Sequence, residues 1–174
     1  MGTETHPVWG VYDLLRTARL NVKYYSGRLH RAESCMFWMD LSLLITAPSS
    51  AVASLWFWED PVGQIVWKYL GAIAAFIAII KPLLGLTKKI KVYQELRSGY
   101  TALEYDLRQI KEMISHKRKY DKPLQEEFKK ASTHHGILAS KEPDTKESKR
   151  LKNRCVNEVK KELPLESFYI PEED

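Results

Sequence analysis

Apolar residues along this chain follow two helical rhythms separated by a stretch with no rhythm at all. Val11, Leu15, Ala18, Val22, Tyr25, Leu29, Ala32 and Met36 are spaced alternately by four and three. Tyr93, Leu96, Tyr100, Leu103, Leu107, Ile110 and Ile114 repeat the spacing as three and four. A period of 3.5 keeps one face of a helix apolar and predicts two helices that pack in coiled-coil fashion. Between these seams the apolar residues run almost unbroken. Met36–Trp58 (MFWMDLSLLITAPSSAVASLWFW) holds a single charge, Asp40, and Tyr69–Leu86 (YLGAIAAFIAIIKPLLGL) is a second apolar run. At 1.5 Å per residue the first run is about 34 Å long, enough to cross the hydrocarbon core of a bilayer. Trp38 at one end and Trp56, Phe57, Trp58 and Trp67 at the other supply aromatic belts.

The predicted fold is an all-α integral membrane protein: a two-transmembrane antiparallel helical hairpin extended by a cytosolic coiled-coil stem, with small C-terminal helices. Residues 8–35 form the N-terminal amphipathic helix, 36–86 the hairpin, 87–120 the return helix and 121–174 the C-terminal region. No Pro or turn signal marks either junction of seam and span, which predicts straight passage from one into the other. Antiparallel pairing then brings together residues whose numbers total about 122, namely Leu29 with Tyr93, Val22 with Tyr100 and Leu15 with Leu107. Beyond the stem, Asp121-Lys122-Pro123 breaks the helix and starts another, with Leu124, Phe128 and Ala131 on one face and Gly136 as its stop. Residues 141–145 read as a linker. Asp144 or Thr145 is the expected cap of a last helix whose stripe is Leu151, Cys155, Val159 and Leu163. Pro164 ends it, and Phe168, Tyr169 and Ile170 follow before an acidic tail. This region either folds back on the stem or joins a neighbouring subunit.

Composition sharpens this picture. Charged residues make up 28% of the chain, yet between Met36 and Leu86 they are confined to Asp40, Glu59, Asp60, Lys68 and Lys81. Arg16, Arg19, Lys23, Arg28 and Arg31 precede the first run, and Lys88, Lys89, Lys91 and Arg97 follow the second. The connecting turn is Glu59-Asp60-Pro61. This asymmetry predicts both termini in the cytoplasm and a very short outer turn. The net charge of +5 is spread along topology-setting flanks and helix surfaces, which argues against a nucleic-acid interface. The first 35 residues carry charge throughout and lack the short apolar core of a signal peptide, so the first span is expected to direct its own insertion. Cys35 and Cys155 are expected to be reduced thiols.

Few residues suggest chemistry. Asp40 and Lys81 are the intramembrane charges, both within about two turns of the predicted cytoplasmic face, where pairing would lower the cost of each. Lys68 lies near the outer interface, where it can snorkel, and Pro82 weakens the turn after Lys81 and marks a possible hinge. Ser42, Thr46, Ser50 and Ser54 recur every fourth residue on one stripe of the first span, and Gly71, Ala74, Ala75 and Ala78 repeat small residues in the second. Close helix packing and a weakly polar pore lining both use such stripes. His134-His135 is the sole candidate metal pair, but adjacent helical residues point about 100° apart. Lys117, Arg118, Lys119 and Lys122 form either a solvated face or an anion contact. No phosphate loop, Cys-x-x-Cys motif or strand carrying a catalytic turn is visible, so no catalytic, cofactor-binding or metal site, no cofactor and no enzymatic activity are expected.

The order of parts resembles the SLATT family of bacterial two-transmembrane effectors. The likeness rests on a basic amphipathic leader (LLRTARLNVKYYSGRLHRAE), a hairpin with a tight outer turn, a long return helix (KIKVYQELRSGYTALEYDLRQI) and a small helical end near ELPLESFY. It covers most of the chain through architecture and loose residue character, and carries no active site with it. The resemblance implies a defence effector paired with a nucleotide-sensing or second-messenger system, perforating the inner membrane of an infected cell. The expected function is therefore an oligomeric membrane effector that forms a pore or disrupts the bacterial inner membrane on a cytosolic signal. Its expected partners are the lipid bilayer, other copies of itself, and a cytosolic sensor protein or nucleotide messenger. A membrane-anchored scaffold or a transporter accessory subunit is the competing reading.

Overall fold

The computed structural model describes residues 6–46, 61–143 and 147–171. Among these the chain is all-helical, with five helices and no strand. They are α1 (Val8–Thr46), α2 (Pro61–Leu84), α3 (Leu86–Lys117), α4 (Lys122–Ser140) and α5 (Lys149–Glu162), followed by a 3₁₀ turn at Leu165–Ser167. The chain divides into two compact units, one built from Met1–Arg28 with Val92–Asp174 and the other from Leu29–Lys91. The first boundary falls inside the predicted N-terminal helix rather than at Met36, and α1 passes through both positions without a break.

In the first unit the seam of α3 is enclosed along its whole length: Tyr93, Leu96, Tyr100, Leu103, Leu107, Ile110 and Ile114 are all buried. Val11, Leu15, Ala18 and Tyr25 of α1 are buried with them, while Val22 is only half-buried. The two helices run antiparallel in the register read from the sequence. Arg28 Nη2 donates to the Tyr93 hydroxyl at 2.8 Å, the Tyr25 and Tyr100 rings stack at 5.9 Å, and Arg19 meets Glu104 at 3.4 Å. Val8 and Tyr12 are also fully buried. Val8 extends the seam by one step, while Tyr12 lies beside it and widens the apolar stripe of α1, and a wider stripe needs further helices to cover it.

Those helices are α4 and α5: of the two alternatives for the C-terminal region, folding back on the stem is the one observed, and it completes a four-helix unit. Asp121 starts α4 as the sequence implied, its side chain accepting from the Leu124 amide at 3.2 Å with Pro123 in the first turn. The helix then runs along α3, with Leu138 seated on Gly99 and Lys141 bonded to Glu95 at 2.6 Å. Gly136 does not stop it. The glycine lies in an open position, and burial of Leu138 one turn from the end carries the helix on to Ser140. Helix α5 runs antiparallel to α1 and buries Leu151, Cys155 and Val159 as predicted, with Leu163 just beyond. Its expected caps, Asp144 and Thr145, lie outside the described residues. Ser148 flanks it and makes no side-chain cap bond. The end of the chain folds back within this unit: Phe168 is buried, stacks on Tyr12 at 4.3 Å, and lies 4.9 Å from the Lys111 ammonium.

The second unit holds the rest of α1, all of α2 and the first residues of α3. Here the expectation of a straight return helix is overturned. The helix breaks at Gly85, and Lys68–Leu84 is bent by 44° from Leu86–Lys117. Two residues explain the break. Pro82 has no amide hydrogen for the helical ladder, and Gly85 adopts φ +56°, a left-handed conformation that ends a helix and suits glycine. The amide of Gly85 turns back to the Pro82 carbonyl at 3.3 Å, and α3 restarts with Lys89 bonded to Gly85.

Candidate functional site: the apolar hairpin and its charge pair

The second unit presents large apolar side chains outward. Phe37, Trp38, Leu44 and Ile45 of α1 and Ile65, Tyr69, Ile73, Phe76, Ile79 and Leu83 of α2 are all exposed, Leu83 at 79%. The two helices of an ordinary soluble pair would bury such residues against each other or a core. Their exposure along both helices exceeds the scattered apolar residues normal on a water-facing surface. No single helix among the described residues is long and apolar enough by itself to cross a membrane. The bent pair α2–α3 meets that test of length and composition.

Within this surface the structure brings Asp40 and Lys81 together: the Lys81 ammonium donates to Asp40 Oδ1. Asp40 is one turn after the aromatic pair Phe37–Trp38, and Lys81 directly precedes Pro82, so the ion pair clasps α1 to α2 immediately before the break. Each charge neutralises the other, and both side chains remain partly exposed.

The hydroxyl stripe is organised differently. Ser42 Oγ donates to the Trp38 carbonyl at 2.7 Å, and Thr46 Oγ1 donates to the Ser42 carbonyl at 2.8 Å. Both protons are thus spent inside their own helix rather than across the hairpin. Ser50 and Ser54 lie outside the described residues, as does the turn at Glu59 and Asp60. Gly71 has no neighbour within 4 Å of where a side chain would begin, and Ala75 and Ala78 are exposed. Among the described residues, then, Gly71, Ala75 and Ala78 are not consumed by packing.

The remaining sequence candidates occupy the first unit. Leu15, Tyr93, Tyr100 and Leu107 are core residues, Val22 is at the core's edge, and Leu29 is buried at the start of the second unit. His135 lies against the Tyr100 ring at 6.0 Å, and His134 lines a cleft with Glu127 and Lys130. No group of three or more His, Cys, Asp or Glu side chains is arranged to hold a metal among the described residues. Lys117 pairs with Asp121 at 3.0 Å, which holds the carboxylate below its usual range, and Arg118 occupies the turn at φ 54°.

Two polar constellations were not read from the sequence. Glu104 is buried on α3 and gripped by Arg19 from α1 and by Arg108 one turn along, at 3.4 and 2.8 Å. The Glu104–Arg108 spacing of four was the available signal. Secondly, Lys23 binds both Glu158 and Glu162 of α5, at 3.0 and 2.8 Å, and Arg19 binds Glu162 at 2.9 Å. Hydrogen bonds from Lys23 lower both carboxylates, and hydrogen bonds to Glu162 and Glu158 raise Lys23.

No protein-family model, curated protein or solved structure matches this chain.

Proposed function

We propose that residues 36–86 form a two-span hairpin in the bacterial inner membrane, with both termini cytoplasmic. On this reading the protein is an oligomeric, non-enzymatic effector that opens or disrupts the bilayer when a cytosolic signal reaches the four-helix unit. The observation that carries the reading is the continuous outward apolar surface of α1 and α2, which has no covering element among the described residues. Lipid is the solvent that such a surface suits, and the cationic flanks set its orientation. Two helices per chain cannot enclose an aqueous path, so conduction requires several copies. The uncovered small residues at Gly71, Ala75 and Ala78 offer close approach between them. The order of helices, as in SLATT effectors, supports a role in halting infected cells, with the signal delivered by a sensor protein or a nucleotide messenger.

The test is expression at graded levels in bacterial cells loaded with a potential-sensitive dye, alongside carbonate extraction of the membranes. Retention in carbonate-washed membranes with loss of potential above a threshold level is the expected result. Release by carbonate would overturn membrane insertion. Retention with an undisturbed potential at every level, with and without the cognate signalling gene, would overturn the effector and leave an anchored scaffold.

A further inference from the structure

Helix α5 is held differently from its three neighbours in the four-helix unit. Along α3 seven consecutive seam positions are enclosed. At the edge of the α1–α5 contact an open surface groove of about 280 Å³ runs between Thr17 and Leu20 on one side and Val156 and Val159 on the other. A second cleft, of about 240 Å³, opens at its far end between Tyr24 and Lys152.

A buried stripe, Leu151, Cys155, Val159 and Leu163, and a row of ion pairs at its edge together fasten α5. Lys23 and Arg19 reach Glu158 and Glu162 through side chains that are one-fifth to two-fifths exposed, where water and salt weaken attraction. Further apolar contacts close the two ends, Leu151 against Gly27 at one and the Phe168 ring on Tyr12 at the other. The helix has 14 residues and no side-chain N-cap bond, and an isolated helix of that length is marginal in water. Detachment from α1 would therefore unfold it, so docking and helix formation are coupled.

We infer that α5, together with the strap through Tyr169, is a releasable brace that clamps α1 and holds the effector silent until a cytosolic event lifts it. The inference rests on the membrane-effector reading for its consequence and on the α1–α5 contact for its mechanics. Once α5 leaves, the Tyr12, Thr17 and Leu20 face of α1 is bare. The helix that continues into the hairpin is then freed from the ion pairs of Arg19 with Glu162 and of Lys23 with Glu158 and Glu162. A partner able to lift the brace would offer an acidic, amphipathic helix followed by an aromatic residue, matching Glu158, Glu162 and Phe168.

The experiment uses the full-length protein in proteoliposomes, reading amide hydrogen exchange and ion flux together. Phe168→Ala and Lys23→Ala should each speed exchange across α5 by about tenfold. The α3 amides from Leu103 to Ile110 should be unchanged, and flux should begin at a lower protein-to-lipid ratio. A Gly27→Cys/Leu151→Cys pair, in a Cys35→Ser/Cys155→Ser background, should suppress flux when oxidised and release it when reduced. Exchange rising equally in α3 and α5 would overturn the brace by making α5 part of one cooperative core. Faster α5 exchange with flux unchanged would overturn its regulatory role. If no form of the protein conducts, including the wild type, the effector reading fails. The exchange pattern then still decides whether α5 is a separable element.

Discussion

Asp40 and Lys81 are 41 residues apart in the chain and share one hydrogen bond. Under the proposed membrane reading, removing either partner strands the other beside lipid, whereas removing both leaves surface that lipid tolerates. Asp40→Ala and Lys81→Ala should therefore each lower stability in detergent, while the double variant recovers about 1 kcal/mol relative to their sum. Unfolding curves of the four proteins decide this, and strict additivity would sink the pairing. Tyr12 makes a second residue-scale prediction. Burial pushes its phenol up to about 12 from the usual 10. The folded state thus keeps a proton that the unfolded state gives up, so this contribution to stability is complete below pH 10. It is lost as pH rises from 10 towards 12. Absorbance at the phenolate band should show Tyr12 ionising only together with loss of helix, and Tyr12→Phe should remove that part of the alkaline transition. The two cases also differ in how readable they were. Asp40–Lys81 followed from the antiparallel register, because both charges interrupt apolar runs. Tyr12 did not, because it stands beside the seam position Val11 and is enclosed by the returning Phe168 and Tyr169, far away in sequence.

The break between α2 and α3 belongs to the scale of the element. Pro82 was visible as a weak turn, but the bend itself depends on Gly85 adopting a left-handed backbone, and sequence spacing does not report a φ angle. Gly85→Ala, which makes that conformation costly by about 1 kcal/mol, should shift the junction towards a continuous helix. Spin labels at Ile73 and Lys91 should then read a longer distance than in the wild type, and an unchanged distance would mean that Pro82 alone fixes the bend. The end of α4 teaches the opposite lesson. Gly136 looked like a terminator, yet its open surroundings impose nothing, and docking of Leu138 on Gly99 outweighs the local preference. Gly99→Ala should crowd Leu138 and destabilise the four-helix unit by about 1 kcal/mol, as denaturant midpoints would record. Adding Leu138→Ala should remove the clash. A fully additive double variant would place the strain elsewhere.

For the whole molecule, the seams announced helices and their register but not how many helices share the core. A period of 3.5 serves a two-stranded coil and a four-helix unit alike, and the extra buried residue Tyr12 lies off the seam. The cationic flanks make a prediction at this scale under the proposed topology. A membrane-impermeant label at Glu59 should react from outside intact cells, while tags on both termini should be cleaved only after the cells are opened. One terminus cleaved early would exclude an even number of crossings. The two cysteines add a consequence of the α1–α5 seam. Cys35 is exposed, whereas Cys155 is buried in that seam, where burial and the nearby Glu158 push its thiol up and keep the thiolate scarce. A maleimide added in a brief pulse will therefore mark the first sulfur at once and the second only at the rate at which the seam opens. The wild-type chain, with no substitution at all, carries an internal standard and a clock on the same polypeptide.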